Sequence, residues 1–220
     1  MNFDFLYLYD RLPVILNALD ITMGMSIIAV LLSLGIGVLL ALIKVFQVKG
    51  LTQLADFYIS FFRGTPLLVQ LFLLYYGLPQ LVPAADMSGF AAAVIGLGLH
   101  FAAYMAESIR AAILSVTSDQ REAALSIGMT ELQAMRRIIL PQATRIATPP
   151  LMNNFIDLLK STSLAFTLGV ADIMAKAKLE AASSFKYFES FVLVALVYWL
   201  IVVLLTRCQQ ALENHLNKAY

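Results

Sequence analysis

Charged residues are scarce in this chain of 220 residues: only 13% are Asp, Glu, Lys or Arg, while 60% are hydrophobic. A soluble domain carries about 25% charged and about 45–50% apolar residues. With a mean hydropathy of +0.82, the chain cannot bury its apolar side chains in one globule that faces water. The shortage of charge therefore excludes a soluble enzyme and a disordered tail. It indicates a helical membrane protein, whose spanning backbone satisfies its own hydrogen bonds.

Cysteine, net charge and phosphate-binding loops are also missing or nearly so. The single cysteine, Cys208, excludes an intrachain disulfide and has no neighbouring ligands for a metal site. Fifteen basic residues against fourteen acidic ones give a net charge of +1, which offers no electrostatic footprint for nucleic acid. No G-x-x-x-x-G-K-[ST] sequence is present. We therefore expect this chain to bind no metal, no nucleic acid and no nucleotide of its own.

Long uncharged runs are abundant instead. Five runs are apolar enough to be transmembrane helices, and they cover about residues 21–43, 64–82, 90–106, 146–171 and 191–206. The fourth run is the least regular, because two prolines and the ionisable Asp157 and Lys160 interrupt it. A polar loop, 107–145, separates the third run from the fourth. These patterns predict an all-α integral membrane protein in which residues 1–220 form one transmembrane domain with five spans.

Small residues recur every four positions in the first run, at Ser33, Gly37 and Ala41. Such a stripe permits another helix to approach closely in a membrane. Simple tolerance of small residues is the alternative explanation.

Basic residues are distributed unequally between the two sides that five spans define. One side carries nine of them, which are Lys44, Lys49, Arg110, Arg121, Arg136, Arg137, Arg145, Arg207 and Lys218. The other side carries four, which are Arg11, Lys176, Lys178 and Lys186. Because basic loops favour the cytoplasm, the count predicts an N-terminus outside and a C-terminus inside.

The polar loop has the pattern of two short helices joined by a tight turn. Asp119 can cap a first helix, and Gly128 supplies the left-handed residue that commonly ends one. Thr130 and Gln133 form a capping box for a second helix, which we expect to stop near Pro141. A short amphipathic pair below a membrane domain is suited to docking a partner. The alternative is that it lies on lipid headgroups or on the protein's own helix ends.

The residues of this loop fill every fixed position of a known motif. Glu122-Ala123-Ala124 is followed after three residues by Gly128, and after nine more by an I-x-L-P segment that ends in Leu140-Pro141. The pattern resembles the EAA loop of the membrane subunits of ATP-binding-cassette importers.

Three further segments resemble the polar amino-acid permeases of that family, the histidine, glutamine and cystine type. They are FRGTPL at 62–67, AYMAE at 103–107 with Arg110, and the prolines at 149–150 with Asn154 and KSTSL at 160–164. Ser161 departs from the family pattern, in which an acidic residue is common. The resemblance covers nearly the whole chain.

The resemblance implies a type I importer permease fold in a bacterial inner membrane, with a cytoplasmic coupling-helix loop. It also implies that two permease subunits pair, that two separate ATPases carrying ATP and Mg²⁺ dock on the loops, and that an extracytoplasmic binding protein delivers the solute. The positions that would contact the ATPase or shape the loop are Glu122, Ala123, Ala124, Gly128, Leu140 and Pro141.

Ionisable residues inside a span cost roughly 2.5–3.5 kcal/mol each on insertion scales, so they tend to line a pathway or to pair. Lys160 could meet a substrate carboxylate while Asn153, Asn154 or Asp157 contacts the polar part of the substrate. Alternatively, Asp157 and Lys160, three residues apart, pair with each other and only fix the packing. Arg63 could likewise hold a carboxylate or extend to the headgroups.

The resulting functional hypothesis is the permease subunit of an ATP-driven importer for a polar amino acid, with cystine as one candidate. Two hypotheses from other classes stay open at this point. An ion-gradient-driven secondary transporter would also use charged residues at mid-membrane. A non-transporting membrane scaffold would use the loop only to recruit a partner.

Overall fold

The chain folds into a bundle of helices joined by short turns. The computed structural model describes residues 3–116 and 118–217, and within these ranges it contains no β-strand. Lys218, which entered the count of basic residues, lies outside the described part. The α-helices are α1 (Phe5–Leu16), α2 (Leu19–Val45), α3 (Leu51–Gly64), α4 (Leu67–Phe72), α5 (Leu78–Leu81), α6 (Gly89–Ser115), α7 (Ser118–Ser126), α8 (Glu131–Ala134), α9 (Leu140–Ser161), α10 (Ile173–Ser184) and α11 (Tyr187–Asn217).

Three helices, α2, α6 and α11, are long and apolar enough to cross a membrane. Two bent pairs raise the number of spans to as many as five, in agreement with the predicted fold class. In the first pair α3 meets the helix that ends at Leu81 at an angle of 108°. In the second pair the helical stretch from Glu131 to Leu168 meets α10 at 53°.

The helices extend beyond the predicted bounds of the spans, because charged residues do not end these helices. The third span was placed at 90–106 and the loop at 107–145, but α6 continues to Ser115. The continuation is possible because Glu107 is paired with Lys44 and Arg110. The fifth span, placed at 191–206, likewise belongs to the longer α11.

The predicted second span, 64–82, is also not a single regular helix. It begins where α3 ends, bends sharply, and contains a π-helical turn at Leu73–Gly77. Gln70 compensates for the broken backbone hydrogen bonding at the bend, because its side-chain amide donates to the carbonyls of Phe62 (3.0 Å) and Thr65 (3.1 Å). The side-chain amide oxygen of Gln70, Oε1, lies 2.9 Å from His100 Nδ1, so this side chain links the bend to α6.

The expected stop near Pro141 is wrong. A π-helical turn, Met135–Ile139, connects α8 to α9, and Pro141 lies at the first turn of α9, where a missing N–H is tolerated. The side-chain amide of Gln142 donates to the Ile138 carbonyl at 2.9 Å. A 3₁₀ stretch, Thr162–Leu168, continues the same helix. The predicted fourth span, 146–171, is therefore the middle of one helical rod that starts in the loop.

Three helices, α1, α3 and α10, lie where the sequence predicted only connecting segments. Two of them begin at aspartates that cap the helix in the ordinary way. Asp4 accepts from the Tyr7 backbone N–H at 3.1 Å, and Asp172 accepts from that of Ala175 at 2.8 Å. These helices were missed because none contains a long uncharged run.

The small-residue stripe of α2 packs directly against α6. Ser33 and Ala41 are fully buried, and the Ser33 hydroxyl lies 3.0 Å from the Gly98 carbonyl. A Cβ atom on Gly37 would lie 3.0 Å from the Cβ of Met105, so only glycine fits at this spacing without movement of α6. Close backbone approach is thus the reason for the stripe.

Candidate functional site

The first helix of the polar loop, α7, ends in a turn in which Gly128 has a left-handed backbone conformation. Gly128 has φ of +85°, a conformation in which a β-carbon is unfavourable. The Met129 N–H bonds to the Ala124 carbonyl at 3.1 Å and the Gly128 N–H to that of Leu125 at 2.9 Å, which is a Schellman motif. The prediction that Gly128 ends the first loop helix is confirmed.

The second loop helix starts with the predicted capping box. Thr130 Oγ1 accepts from the Gln133 N–H at 3.2 Å, and Gln133 Oε1 accepts from the Thr130 N–H at 3.0 Å. Because both ends of the turn satisfy their own backbone groups, the loop keeps a defined shape without a partner.

An ion pair connects the two loop helices, α7 and α8, across this turn. Arg121 on α7 donates to both carboxylate oxygens of Glu131 on α8, at 2.9 and 2.6 Å. The hydrogen bonds to Glu131 raise the pKa of Arg121 above its usual value. An exposed ion pair adds little stability, but its bidentate geometry fixes the orientation of α7 relative to α8. The pairing was not predicted, because the two residues lie ten positions apart on different helices.

The exposed face of α7 presents a carboxylate beside small and apolar groups. Glu122 and Ala123 are exposed, and Ile127 is 76% exposed. Ala124 is buried against its own chain, so it shapes the loop instead of lying on the exposed face. Ile127 was not among the predicted site residues, although it is an apolar residue of the polar loop and lies inside the motif, directly before Gly128.

The last two residues of the motif, Leu140 and Pro141, connect the loop to the spans. Pro141 is exposed at the start of α9, whereas Leu140 is partly buried. Leu140 packs on a cluster formed by Ile113, Ile139 and Ala143, together with apolar side chains at the end of α2. Movement of the loop would therefore be passed to the adjoining ends of α2, α6 and α9.

A four-residue ion network lies at the same end of the bundle. Lys44 Nζ lies 2.7 Å from Glu107 Oε1 and 2.9 Å from Asp56 Oδ1. Arg110 binds the second oxygen of Glu107 at 2.8 Å. The network joins α2, α3 and α6 and neutralises charges that would otherwise be costly near the membrane.

A cavity of about 480 Å³ opens beside this network between α3, α6 and α9. Arg63 lies on its wall, with the guanidinium carbon 5.4 Å from the centre of the Tyr104 ring. Asn154 lines the opposite wall and donates to the Ser108 hydroxyl at 3.0 Å. No ion pair to Arg63 is present among the described residues. The cavity therefore offers a guanidinium on an aromatic ring, together with amide and hydroxyl groups.

The other three pathway candidates lie on an exposed face of α9. Asp157 and Lys160 form an ion pair of 2.6 Å, and more than half of each side chain is exposed. Asn153 is exposed one turn before Asp157, so the three share a face at helical spacing. The structure thus brings Arg63 together with Asn154, and Asn153 together with Asp157 and Lys160, but it does not place all five in one pocket.

Comparison with known proteins gives a consistent assignment. Residues 33–218 match the family described as binding-protein-dependent transport system inner membrane component. The chain is 63% identical to the probable amino-acid ABC transporter permease protein PatM of Vibrio harveyi, over 100% of this chain and 99% of that protein. It is 38% identical to the L-cystine transport system permease protein TcyL of Bacillus subtilis strain 168, over 98% and 92% of the two chains.

A solved structure, described as the crystal structure of an amino acid ABC transporter with histidines, superposes with a TM-score of 0.91 at 35% identity. The match covers 98% of this chain and 100% of the other. Together with the complete loop motif, these matches leave the gradient-driven transporter and the scaffold without support. The chain belongs to the binding-protein-dependent transport system inner membrane components, and within them to the permease subunits of amino-acid ABC transporters.

Proposed function

We propose that this chain forms half of the membrane pathway of an importer for a polar amino acid, and that a separate ATPase drives it through the part of the polar loop that contains α7 and α8. The observation that carries the proposal is the unbroken helix from Glu131 to Leu168. Its first turns belong to the braced loop, and its later turns carry the exposed Asp157–Lys160 pair. One rigid element therefore joins the partner-binding surface to charges inside the membrane.

The loop is suited to fit into a recess on a second protein. Glu122 supplies a carboxylate for polar contact, Ala123 permits close approach, and Ile127 adds an exposed apolar contact. ATP and Mg²⁺ belong to the ATPase in this proposal, and this chain binds neither. Closure of two ATPases around nucleotide would favour one arrangement of the loop helices, and hydrolysis would release it.

The exposed charges of α9 support a pathway role. An ion pair facing hydrocarbon would lose the solvation that both charges need, so we infer that this face borders the water-filled passage at the junction with a second permease subunit. That subunit is a second copy or a homologue. An extracytoplasmic binding protein would deliver the solute at the end of the bundle opposite the loop.

The substrate class follows from the charges that the pathway offers. An amino acid carries a carboxylate, which Lys160 can bind, and an ammonium group, which Asp157 can bind. Arg63, beside Asn154 in the cavity, is a second carboxylate-binding candidate. Cystine is one candidate substrate, since the relative TcyL is described as an L-cystine permease.

The membrane orientation follows from the same arrangement. If the loop faces the ATPases in the cytoplasm, α11 ends inside and α1 lies at the outer surface of a bacterial inner membrane. This orientation agrees with the excess of basic residues on the loop side.

The most direct test of the partner assignment is copurification from the native membrane. Tagged chain extracted in mild detergent should recover an ATPase that contains a Walker motif. Glu122→Lys should abolish this recovery, because it reverses the charge on the exposed face of α7. Asp86→Lys, an equally exposed charge reversal at the other end of the bundle, should leave recovery unchanged. Equal recovery of the ATPase with both variants would place its docking surface elsewhere.

The left-handed turn provides a second test, of coupling. Gly128→Val should strain the turn by about 1–2 kcal/mol and tilt α7, so that ATP hydrolysis continues while the solute imported per ATP falls. Gly128→Asn, which tolerates this conformation better, should keep most of the coupling. Because open space surrounds Gly128, the difference reports backbone geometry and not a clash. Equal ratios of solute to ATP for both variants and the native chain would refute the role of the turn.

A third test concerns the pathway charges. Lys160→Met should lower the initial rate of uptake by about tenfold or more, since a hydrogen bond to a charged group contributes about 1.5–3 kcal/mol. Lys160→Arg should retain part of the rate because it keeps the charge. Lys49→Met, in the exposed turn after α2, is the matched control and should transport normally. Normal uptake by Lys160→Met would reduce the ion pair to a packing role.

A further inference from the structure

Helix α1 is firmly held on the bundle although it is too short to cross a membrane. Its 12 residues span about 18 Å. The Tyr7 hydroxyl lies 2.9 Å from that of Ser184 and 2.8 Å from that of Ser190, and Ile15 is fully buried among residues of α10 and α11. The helix is therefore a fixed part of the fold and not a loose terminal segment.

The side of α1 that turns away from the bundle is aromatic and exposed. Phe5 is 76% exposed and Tyr9, one turn later, is 77% exposed. Phe3 packs edge-on against Phe5 at 4.7 Å and against Phe188 of α11 at 5.8 Å between ring centres. Phe185, in the turn before α11, is 81% exposed. We call these five residues the outer aromatic patch.

Two ion pairs at the edge of the patch lie within the chain, whereas Asp10, next to Tyr9, is exposed and belongs to no ion pair among the described residues. Lys186 binds Asp4, and Arg11 lies 3.3 Å from Glu180. The patch therefore presents apolar rings with polar and charged groups at its edge. Such a surface fits the boundary between lipid headgroups and acyl chains, where aromatic rings are enriched.

The patch is also continuous with the exposed surface of an apolar span. Phe188 belongs to α11, and in the apolar stretch of 18 residues that marks this helix as a span only 22% of the residues are buried in the chain. At 31 residues α11 is about 46 Å long, whereas the hydrocarbon core is about 30 Å thick. Its ends must extend beyond the core, and its first turn, with Phe188, is where the patch lies.

We propose that α1 lies along the membrane interface and inserts the outer aromatic patch at the headgroup level, at the end of the bundle away from the loop. This position follows from α2, whose start adjoins α1 and whose end packs with the loop residue Ile139. In this position α1 would hold the junction of α10 and α11 in place at the interface while the loop end of the bundle moves. The inference requires only that the spans cross a membrane, so it does not depend on the ATPase or the substrate.

Depth-dependent fluorescence quenching tests this proposal, because the chain has a single tryptophan, Trp199. The native chain and the double variant Tyr9→Trp, Trp199→Phe are each reconstituted, full length, in phosphatidylcholine vesicles that carry bromine either near the headgroup end or near the methyl end of the acyl chains. The double variant should lose more fluorescence to the shallow bromine. Native Trp199, in the middle of the uncharged run of α11 and 64% exposed, should lose more to the deep one.

A water-facing control completes the experiment. The variant Ile127→Trp, Trp199→Phe places the reporter on the exposed loop, and acrylamide should quench it while neither brominated lipid does. If the Tyr9→Trp reporter behaved like this control, α1 would lie in water and the proposal would fail. Protection of that reporter from acrylamide and from both lipids would overturn it as well, since a protein surface such as a second copy would then cover the patch.

Discussion

Much of the arrangement depends on the close approach of α2 and α6. Glycine on one helix and small or flexible side chains on the other let the two backbones approach so closely that a β-carbon added to Gly37 would lie only 3.0 Å from that of Met105. In a membrane, such van der Waals contact replaces the hydrophobic effect as the force that associates helices. This contact positions the half of α6 that follows Met105. It thereby places Glu107 in its ion pair with Lys44, and Ser108 in its hydrogen bond with Asn154. The ion network and the cavity wall are both consequences of it.

A continuous helix then connects the polar loop to the spans. The helical rod from Glu131 to Leu168 passes through a π turn, a proline at its next turn and two prolines further on without a break in direction large enough to divide it. Local substitutes, such as the Gln142 amide on the Ile138 carbonyl, keep the polar groups satisfied. A rod of this kind can transmit a push from the braced loop to Asp157 and Lys160. A flexible linker at Pro141 could not.

Local signals in the sequence were sufficient for the parts of the site that depend on neighbouring residues. The capping box at Thr130, the glycine turn at Gly128 and the apolar runs all act within a few positions of the chain, so they could be predicted. The EAA pattern could be recognised for the same reason, because all of its fixed positions lie between Glu122 and Pro141.

Long-range contacts account for what could not be predicted. Glu107 appeared to end a span because its partner Lys44 is 63 residues away, and Pro141 appeared to end a helix because a π turn has no simple sequence signal. The cavity with Arg63, Tyr104 and Asn154 draws on three helices, so no spacing along the chain reveals it. Helix α1 was missed for a different reason: Asp10 and Arg11 interrupt its apolar residues, which leaves no single long uncharged run.

Uptake by the purified complex in proteoliposomes tests most directly whether this chain converts ATPase movement into transport. Labelled amino acid and binding protein are supplied on one side and ATP on the other, and ionophores collapse all ion gradients. The proposed mechanism predicts uptake that requires ATP and the binding protein and persists with the ionophores present. Uptake that proceeds without ATP, follows an imposed ion gradient and stops with the ionophores would contradict it.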